Sequence, residues 1–519
     1  MSNRAFTSFS RTSYATPASA LGSWYSEGNE QALDRGAGIG GTAGHATAAV
    51  DARLAIVGGG AAAVAALVAW QQQPRGQRPA LLWIAPAGAT GAGVAYATPD
   101  PQHRLNVRAR RMSVLESEPD DFVEFLALRD GHADTEGFYP RADYGDYLHA
   151  RLRAVLEEED CSVWRTELIG ARERGGTWEL TGADGGRRRV HALLLAPGAL
   201  AARCLRGVAQ GLVEAGRYQV DPWQFTRSAG ELPRQPDVVI VGSGLTAVDL
   251  ALTAARRYPD ARIQMLSRHG RLPATQSRAG PLPPAQTATL LAAMEAQPRL
   301  CEWLRTLRAA MRAAPDWRSV MESIRHESSR LWQLLTGADR ARFLRHLRAY
   351  WDSARHRMAP EIDAQLRRLM AVGRLRVCSG RLLSVRAADA GAVVIAWQPR
   401  GSEITRLQRA ELVLQACGLE TRIAATASPL IVSLLDTGSA RVDALGLGLS
   451  VDSDNALVDA HGHPQSAWLL GALALGSLWE CTAMPDIREQ AARVIGAVCA
   501  RVGPAPMTAR WGGDCLARQ

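Results

Sequence analysis

Two short stretches carry glycines at a spacing that suits a diphosphate. In "LAIVGGGAAAVAALVAW", Leu54 to Trp70, the residues Gly58, Gly60 and Ala63 fit G-x-G-x-x-[GA] directly behind the apolar run Leu54–Val57. In "VVIVGSGLTAVDL", Val238 to Leu250, Gly242, Gly244 and Ala247 repeat the pattern behind a second apolar run. The first glycine of such a turn allows a tight bend, and the second lets backbone N–H groups approach a pyrophosphate. The third small residue lets the following helix pack close to the strand. The positive end of that helix then faces the phosphates. A single turn of this kind also occurs without a ligand. Two in one chain, each set between strand and helix, point to electron delivery: one holds a flavin, FAD, and the other receives the nicotinamide that reduces it.

The strand after each turn reads the ribose. After the first turn comes "ALLWIAP", with Ala85 where an Asp or Glu is expected for the adenosine hydroxyls. Either that recognition comes from elsewhere or binding is weakened. After the second turn comes "ARIQMLSRHGR", which offers Ser267, Arg268, His269 and Arg271. Hydroxyl donors and cations suit a 2′-phosphate, so NADPH is expected over NADH, against the plainer reading of ordinary surface arginines.

The elements that position these turns follow from periodicity. Residues 1–50 are rich in Ser, Ala, Thr and Gly without sustained period, and read as a disordered tail. Residues 51–230 read as the first part of an FAD-binding domain, including short alternating runs such as "GTWELTG" that suggest a small antiparallel sheet. Residues 231–283 read as an NADPH-binding core. Residues 284–372 are helical in period and rich in Arg, Trp and Leu, and read as a helical insertion or substrate region. Residues 373–503 read as strands rejoining the first unit plus a final helix, and 504–519 as a tail. The expected fold class is α/β: two Rossmann-like dinucleotide-binding domains of the flavoprotein monooxygenase/disulfide-reductase type, with a helical insertion.

Composition excludes several alternatives. All 60 basic residues are arginine, so no lysine is present for a Schiff base or a lysine general base. The formal charge of +9 is spread among 51 acids, and a nucleic-acid partner is not expected. The 8 cysteines include no CxxC pair, which argues against a metal site and against a redox dithiol. Neither a signal peptide nor an unbroken apolar run of membrane-spanning length is visible, so no membrane partner and a cytoplasmic location are expected.

Several further blocks occur in order: "GAGVAYATPDPQHRLNVRARRMS", "FYPRADYGDYL", "VDPWQ", "DWRSVMESIRHESSRLWQLL", "RFLRHLRAYWDSARHRMAPE" and "LWECTAMPDIREQAA". Together with the glycine turns, the chain over roughly residues 52–500 resembles the bacterial FAD/NAD(P)-binding protein family. That family is related to flavin-dependent N-hydroxylating monooxygenases similar to aspartate N-monooxygenase. The resemblance implies that Gly91–Tyr96, Asn106, Met112 and Ser113 line the flavin. It also implies that Tyr139, Pro140, Arg141, Tyr144 and Tyr147 support it. Gly471, Trp479, Glu480, Thr482, Pro485 and Ile487 would approach it from the C-terminal side. Packing is the plainer role for Trp479 and the tyrosines. "VLQACGLE" departs from the pattern at Cys417, where related enzymes often carry Thr.

With no dithiol relay and no FxGxxxHxxxW stretch, a monooxygenase remains. NADPH would reduce FAD, and O2 would form a flavin C4a-hydroperoxide that passes oxygen to the nitrogen of a small amine or amino acid. No catalytic residue is assigned. Arg345, His346, Trp351, Arg355, His356 and Arg357 could hold an anionic substrate or form a solvated face. A small-molecule substrate and O2 are the expected partners, with homo-oligomerisation left open. An NAD(P)H-dependent flavin oxidoreductase and a non-catalytic flavin-binding protein are the alternatives.

Overall fold

The computed structural model describes residues 51–227, 232–423 and 428–504. The tails read at 1–50 and beyond residue 504 lie outside them. Fifteen strands occur among the described residues. The first six are β1 (Ala52–Val57), β2 (Leu81–Ala85), β3 (Cys161–Arg165), β4 (Leu168–Arg174), β5 (Thr177–Gly182) and β6 (Arg187–Leu195). They are followed by β7 (Tyr218–Gln219), β8 (Asp237–Val241), β9 (Arg262–Ser267), β10 (Leu375–Ala387), β11 (Val393–Pro399), β12 (Arg406–Ala410) and β13 (Leu412–Gln415). The last two are β14 (Ala456–Val458) and β15 (Pro464–Leu469).

The first sheet runs β14-β15-β6-β1-β2-β3, and β4 and β5 form an antiparallel arm on β6. Strands β15, β6, β1, β2 and β3 are mutually parallel. β1 is apolar without alternation because both of its faces are covered. Leu54 and Ile56 pack with Val64 and Val494 of the helices Ala61–Gln71 and Met484–Val502. Ala55 and Val57 pack on the opposite face with Trp178 and Leu469.

The second sheet runs β12-β11-β10-β9-β8-β13-β7. Residues 373–503 were expected to return to the first unit, but sheet pairing divides them. β10 lies parallel to β9, Leu375 opposite Ile263, and β13 lies parallel to β8, Leu412 opposite Val238. Only β14 and β15 rejoin the first sheet. An apolar strand such as "LVLQ" fits a buried position in either sheet, so long-range pairing decides its place. Helices from Pro284–Ala296 to Pro360–Ala371 fill the stretch between β9 and β10.

The chain leaves the first sheet after β6 and returns after β13, and these two connections meet. Leu200 N–H donates to Glu420 C=O at 3.0 Å. A second, polar clasp is buried between the loop before residue 104 and the helix Leu245–Arg257. Thr253 Oγ1 donates to Asp100 at 2.7 Å, so it accepts from His103 Nε2 at 2.9 Å, and His103 Nδ1 accepts from Thr98 at 2.7 Å. This chain requires a neutral imidazole, and burial lowers the His103 pKa accordingly. Arg256 reaches Asp100 at 2.6 Å and Arg141 reaches Asp249 at 2.8 Å, closing the clasp.

Candidate functional site

At the first turn Gly58 has φ +139°, and a Cβ there would stand 2.2 Å from the Ala196 carbonyl oxygen. No side chain fits so close to a backbone atom, so the bend depends on glycine. Gly60 precedes the helix Ala61–Gln71, which has no side-chain cap and no acid in its first turn. Its leading N–H groups and positive dipole end are therefore available to an anion. Ala63 is buried against the sheet. The segment Gly91–Tyr96 roofs this turn: a Cβ on Gly93 would lie 3.1 Å from Gly60 Cα. Ala85, in the ribose-reading position, is buried and has Arg165 opposite it on β3, with that guanidinium 4.6 Å above the Trp83 ring.

The other residues expected around the flavin fall into different roles. Tyr96 packs edge-on to Tyr144 at 4.7 Å, and burial pushes its hydroxyl pKa up to about 12 against the pull of Arg141. Tyr147 donates to Asp121 and accepts from Val114 N–H at 3.0 Å, a structural use of its hydroxyl. The carbonyl of Asn106 accepts from Gln276 at 2.8 Å, which ties this loop to the second half. Met112 is buried, and the Ser113 hydroxyl is spent on the carbonyls of Leu115 and Glu118. Gly471, at φ +87°, approaches the first cradle, since a Cβ there would lie 3.8 Å from Ala62 Cβ. Thr482 is half-buried beside buried Cys481.

Trp479 is unusual. It is buried, at φ +61° and ψ −70°, a conformation that costs a non-glycine residue roughly 1–3 kcal/mol. Its ring stacks on Trp332 at 4.8 Å and meets Phe343 edge-on at 5.1 Å. Its indole N–H is buried without a hydrogen-bond partner among the described residues.

The second turn repeats the geometry. Gly242 has φ +138°, and a Cβ there would lie 2.0 Å from the Ala416 carbonyl oxygen. Ala247 is fully buried. A Cβ on Gly244, however, would meet nothing within 4 Å. The second cradle is open where the first is roofed. Ser267 ends β9, its Oγ accepts from Gly270 N–H at 3.0 Å, and it lies 2.8 Å from Ser243 Oγ. Arg268 lines an open pocket of about 440 Å³ together with Arg381, Arg400 and Ser402. No ion pair engages Arg268, Arg381 or Arg400 among the described residues, although Glu403 also lines the pocket. Arg400 donates to His269 Nδ1, and burial followed by the neighbouring arginines lowers the His269 pKa. Arg271 points elsewhere: it lies 3.9 Å above the Tyr350 ring and lines a different cavity.

That cavity, about 600 Å³, is walled by the helices between β9 and β10 and by Trp479. His346 and Trp351 line it, and Arg345 is exposed. Arg355 and Arg357 instead enter a buried ionic network. Glu322 is held by Arg111 at 2.8 Å and by Arg357. Asp486 is approached by Arg325 at 3.6 Å and Arg355 at 3.2 Å, and Arg355 also faces Glu480 at 3.4 Å. Sequence reasoning misses Arg381 and Arg400. They lie more than a hundred residues after Arg268, and the pairing of β10 with β9, Ser379 opposite Ser267, and of β11 with β10, Pro399 opposite Gly380, brings them there.

These features define a fold with two Rossmann-like dinucleotide-binding units, each with its own sheet. Residues 55–200 match the family model described as FAD-NAD(P)-binding. No curated protein matches the chain by sequence. Among solved structures, the chain is similar to an ornithine N-hydroxylase from Kutzneria sp. 744 at 14% identity and TM-score 0.61, covering 87% of this chain and 99% of that one. It is also similar to the cadaverine monooxygenase of the desferrioxamine pathway from Erwinia amylovora, at 12% identity and TM-score 0.60, over 90% and 99%. L-lysine 6-monooxygenase from Pseudomonas syringae aligns at 15% identity and TM-score 0.59, over 87% and 99%. At such identities the likeness is one of fold.

Proposed function

We propose that the chain is an FAD- and NADPH-dependent monooxygenase that hydroxylates the nitrogen of a small-molecule amine. The observation that carries the reading is the unequal pair of cradles: one roofed at Gly60 by Gly93, the other open at Gly244. A roofed cradle suits a resident group, and an open one suits a reductant that must leave.

The residues present fit FAD at its diphosphate, where Gly58, Gly60 and the uncapped helix end would hold it, and they lack the acid expected at its ribose. Bound there, FAD supplies the two-electron chemistry with nicotinamide and O2 that side chains cannot. Ser267, Arg268, Arg381 and Arg400 would hold the 2′-phosphate of NADPH through charge-assisted bonds. Trp479 lines the helical cavity, and Cys481, two residues on, reaches the Gly471 carbonyl at 3.3 Å, so this segment would join the cavity to the C-terminal approach to the first cradle. An amine must be uncharged to attack oxygen. The apolar lining of the cavity favours the neutral form by desolvation.

The test is NADPH oxidation by the purified holoprotein with an amine panel, followed together with O2 uptake and product mass. Substrate-stimulated O2 uptake with a product gaining one oxygen supports the reading. NADPH oxidation that proceeds with an artificial acceptor and yields no oxygenated product would assign a flavin reductase instead.

A further inference from the structure

The helical cavity holds information about substrate class. Most of its wall is apolar or aromatic, from Leu307, Met311 and Ile324 to Phe343, Trp332 and Trp479. No aspartate or glutamate is among the residues lining it. A terminal ammonium drawn into such a space would lose its water and meet no counter-ion, which is strongly unfavourable. The charges that do border the cavity are cationic. Arg271 and Arg308 are both exposed at its lining, and neither guanidinium has a hydrogen bond or ion pair among the described residues. An unpaired guanidinium suits a carboxylate, which it can meet with two parallel hydrogen bonds. The buried, unpaired indole N–H of Trp479 adds a further donor on the wall.

We propose that this cavity takes an aromatic amino acid, its ring among the tryptophans and its carboxylate at Arg271 and Arg308, in preference to aliphatic diamines and basic amino acids. The inference rests on the N-hydroxylating reading above and names its substrate class. The two positive charges and the apolar walls both disfavour a protonated amine, so such a substrate would sit with its nitrogen ready to attack. Aromatic rings gain from edge and face contacts as well as from buried area, which an aliphatic chain does not.

The experiment is calorimetric titration of the holoprotein with L-phenylalanine, L-tryptophan, phenethylamine, L-lysine, L-ornithine and cadaverine, alongside O2 uptake with each. The expected result is that the two aromatic amino acids bind roughly tenfold or more tightly than every aliphatic amine and than phenethylamine, which lacks the carboxylate. Arg308→Ala, at an exposed position, should erase the advantage of phenylalanine over phenethylamine while leaving the melting temperature unchanged. Tighter binding of lysine, ornithine or cadaverine, or no binding of either aromatic amino acid, overturns the proposal. Aromatic binding without coupled O2 uptake leaves the cavity assignment standing and removes the monooxygenase reading. Coupled turnover of lysine or ornithine alone does the reverse.

Discussion

The indole N–H of Trp351 donates to Glu480 Oε1 at 2.7 Å, joining the helical stretch to the segment that carries Trp479. Glu480 is buried and also faces Arg355, so its charge is satisfied from two sides, and its pKa stays lowered although burial opposes this. Glu480→Ala would leave the buried Arg355 with Asp486 as its remaining partner and the Trp351 indole unpaired. A loss of about 3–5 kcal/mol is expected, seen as a clear drop in melting temperature. Trp351→Tyr, which keeps an aromatic body, should cost less. Equal losses for the two would show that packing, not the charge, dominates.

The two first glycines should separate the two cofactors. Gly58→Ala and Gly242→Ala each force a Cβ against a carbonyl oxygen and a positive φ on alanine. The first variant should purify without flavin absorbance. The second should stay yellow and lose reduction by NADPH, measured anaerobically. A colourless Gly242→Ala protein would contradict the assignment of the cradles.

Gly244→Ala offers a milder probe, because the added methyl meets only open space in the protein. Its melting temperature should match the parent, while KM for NADPH rises roughly tenfold or more, since the methyl occupies the approach of the phosphates. An unchanged KM would place the reductant elsewhere.

Arg268 and Arg400 border one pocket without ion pairs, so each is expected to add a charge-assisted bond to a 2′-phosphate. Removing either should raise KM for NADPH by about tenfold to a hundredfold, the equivalent of about 1.5–3 kcal/mol. KM for NADH should hardly move, and the NADPH penalty should shrink as salt is added. Parallel losses for both nucleotides would mean that the arginines do not read the phosphate.

Glu322 predicts a pH response. Burial alone would raise its pKa, but Arg111 and Arg357 outweigh it and hold the carboxyl at about 2, below its ordinary value of 4.5. A group depressed in the folded state stabilises above its unfolded pKa, and that stability is lost as pH falls toward the folded value. The protein should therefore lose on the order of 3 kcal/mol between about pH 5 and pH 2 from this residue. Glu322→Gln should be weaker at pH 7 and flatter across that window in urea unfolding.

The parts of the site written in contiguous residues are legible in the amino-acid sequence. Gly58 and Gly242 announce themselves because a strand, a bend and a helix follow within a dozen positions, and Ala85 stands out because the next strand is short and local. Arg381 and Arg400 are not legible there, because they reach Arg268 through the β9–β10 pairing across a helical stretch of about a hundred residues and, for Arg400, through β11 beside β10 as well. The same pairing carries β10 to β12 into the second sheet, and β13 enters it on the far side, beside β8. In a chain whose every cation is arginine, type and spacing do not separate the buried Arg355 and Arg357 from an exposed neighbour such as Arg345. Burial does, and burial is a property of the assembled fold.

The contact between Leu200 and Glu420 has a mechanical meaning. Both covalent crossings between the sheets pass this one backbone bridge, so the chain is clasped to itself where it leaves the first sheet and where it comes back. Away from that crossing, the Asp100–Arg256 and Arg141–Asp249 ion pairs and the Gln276–Asn106 hydrogen bond fasten the same two halves at separate points.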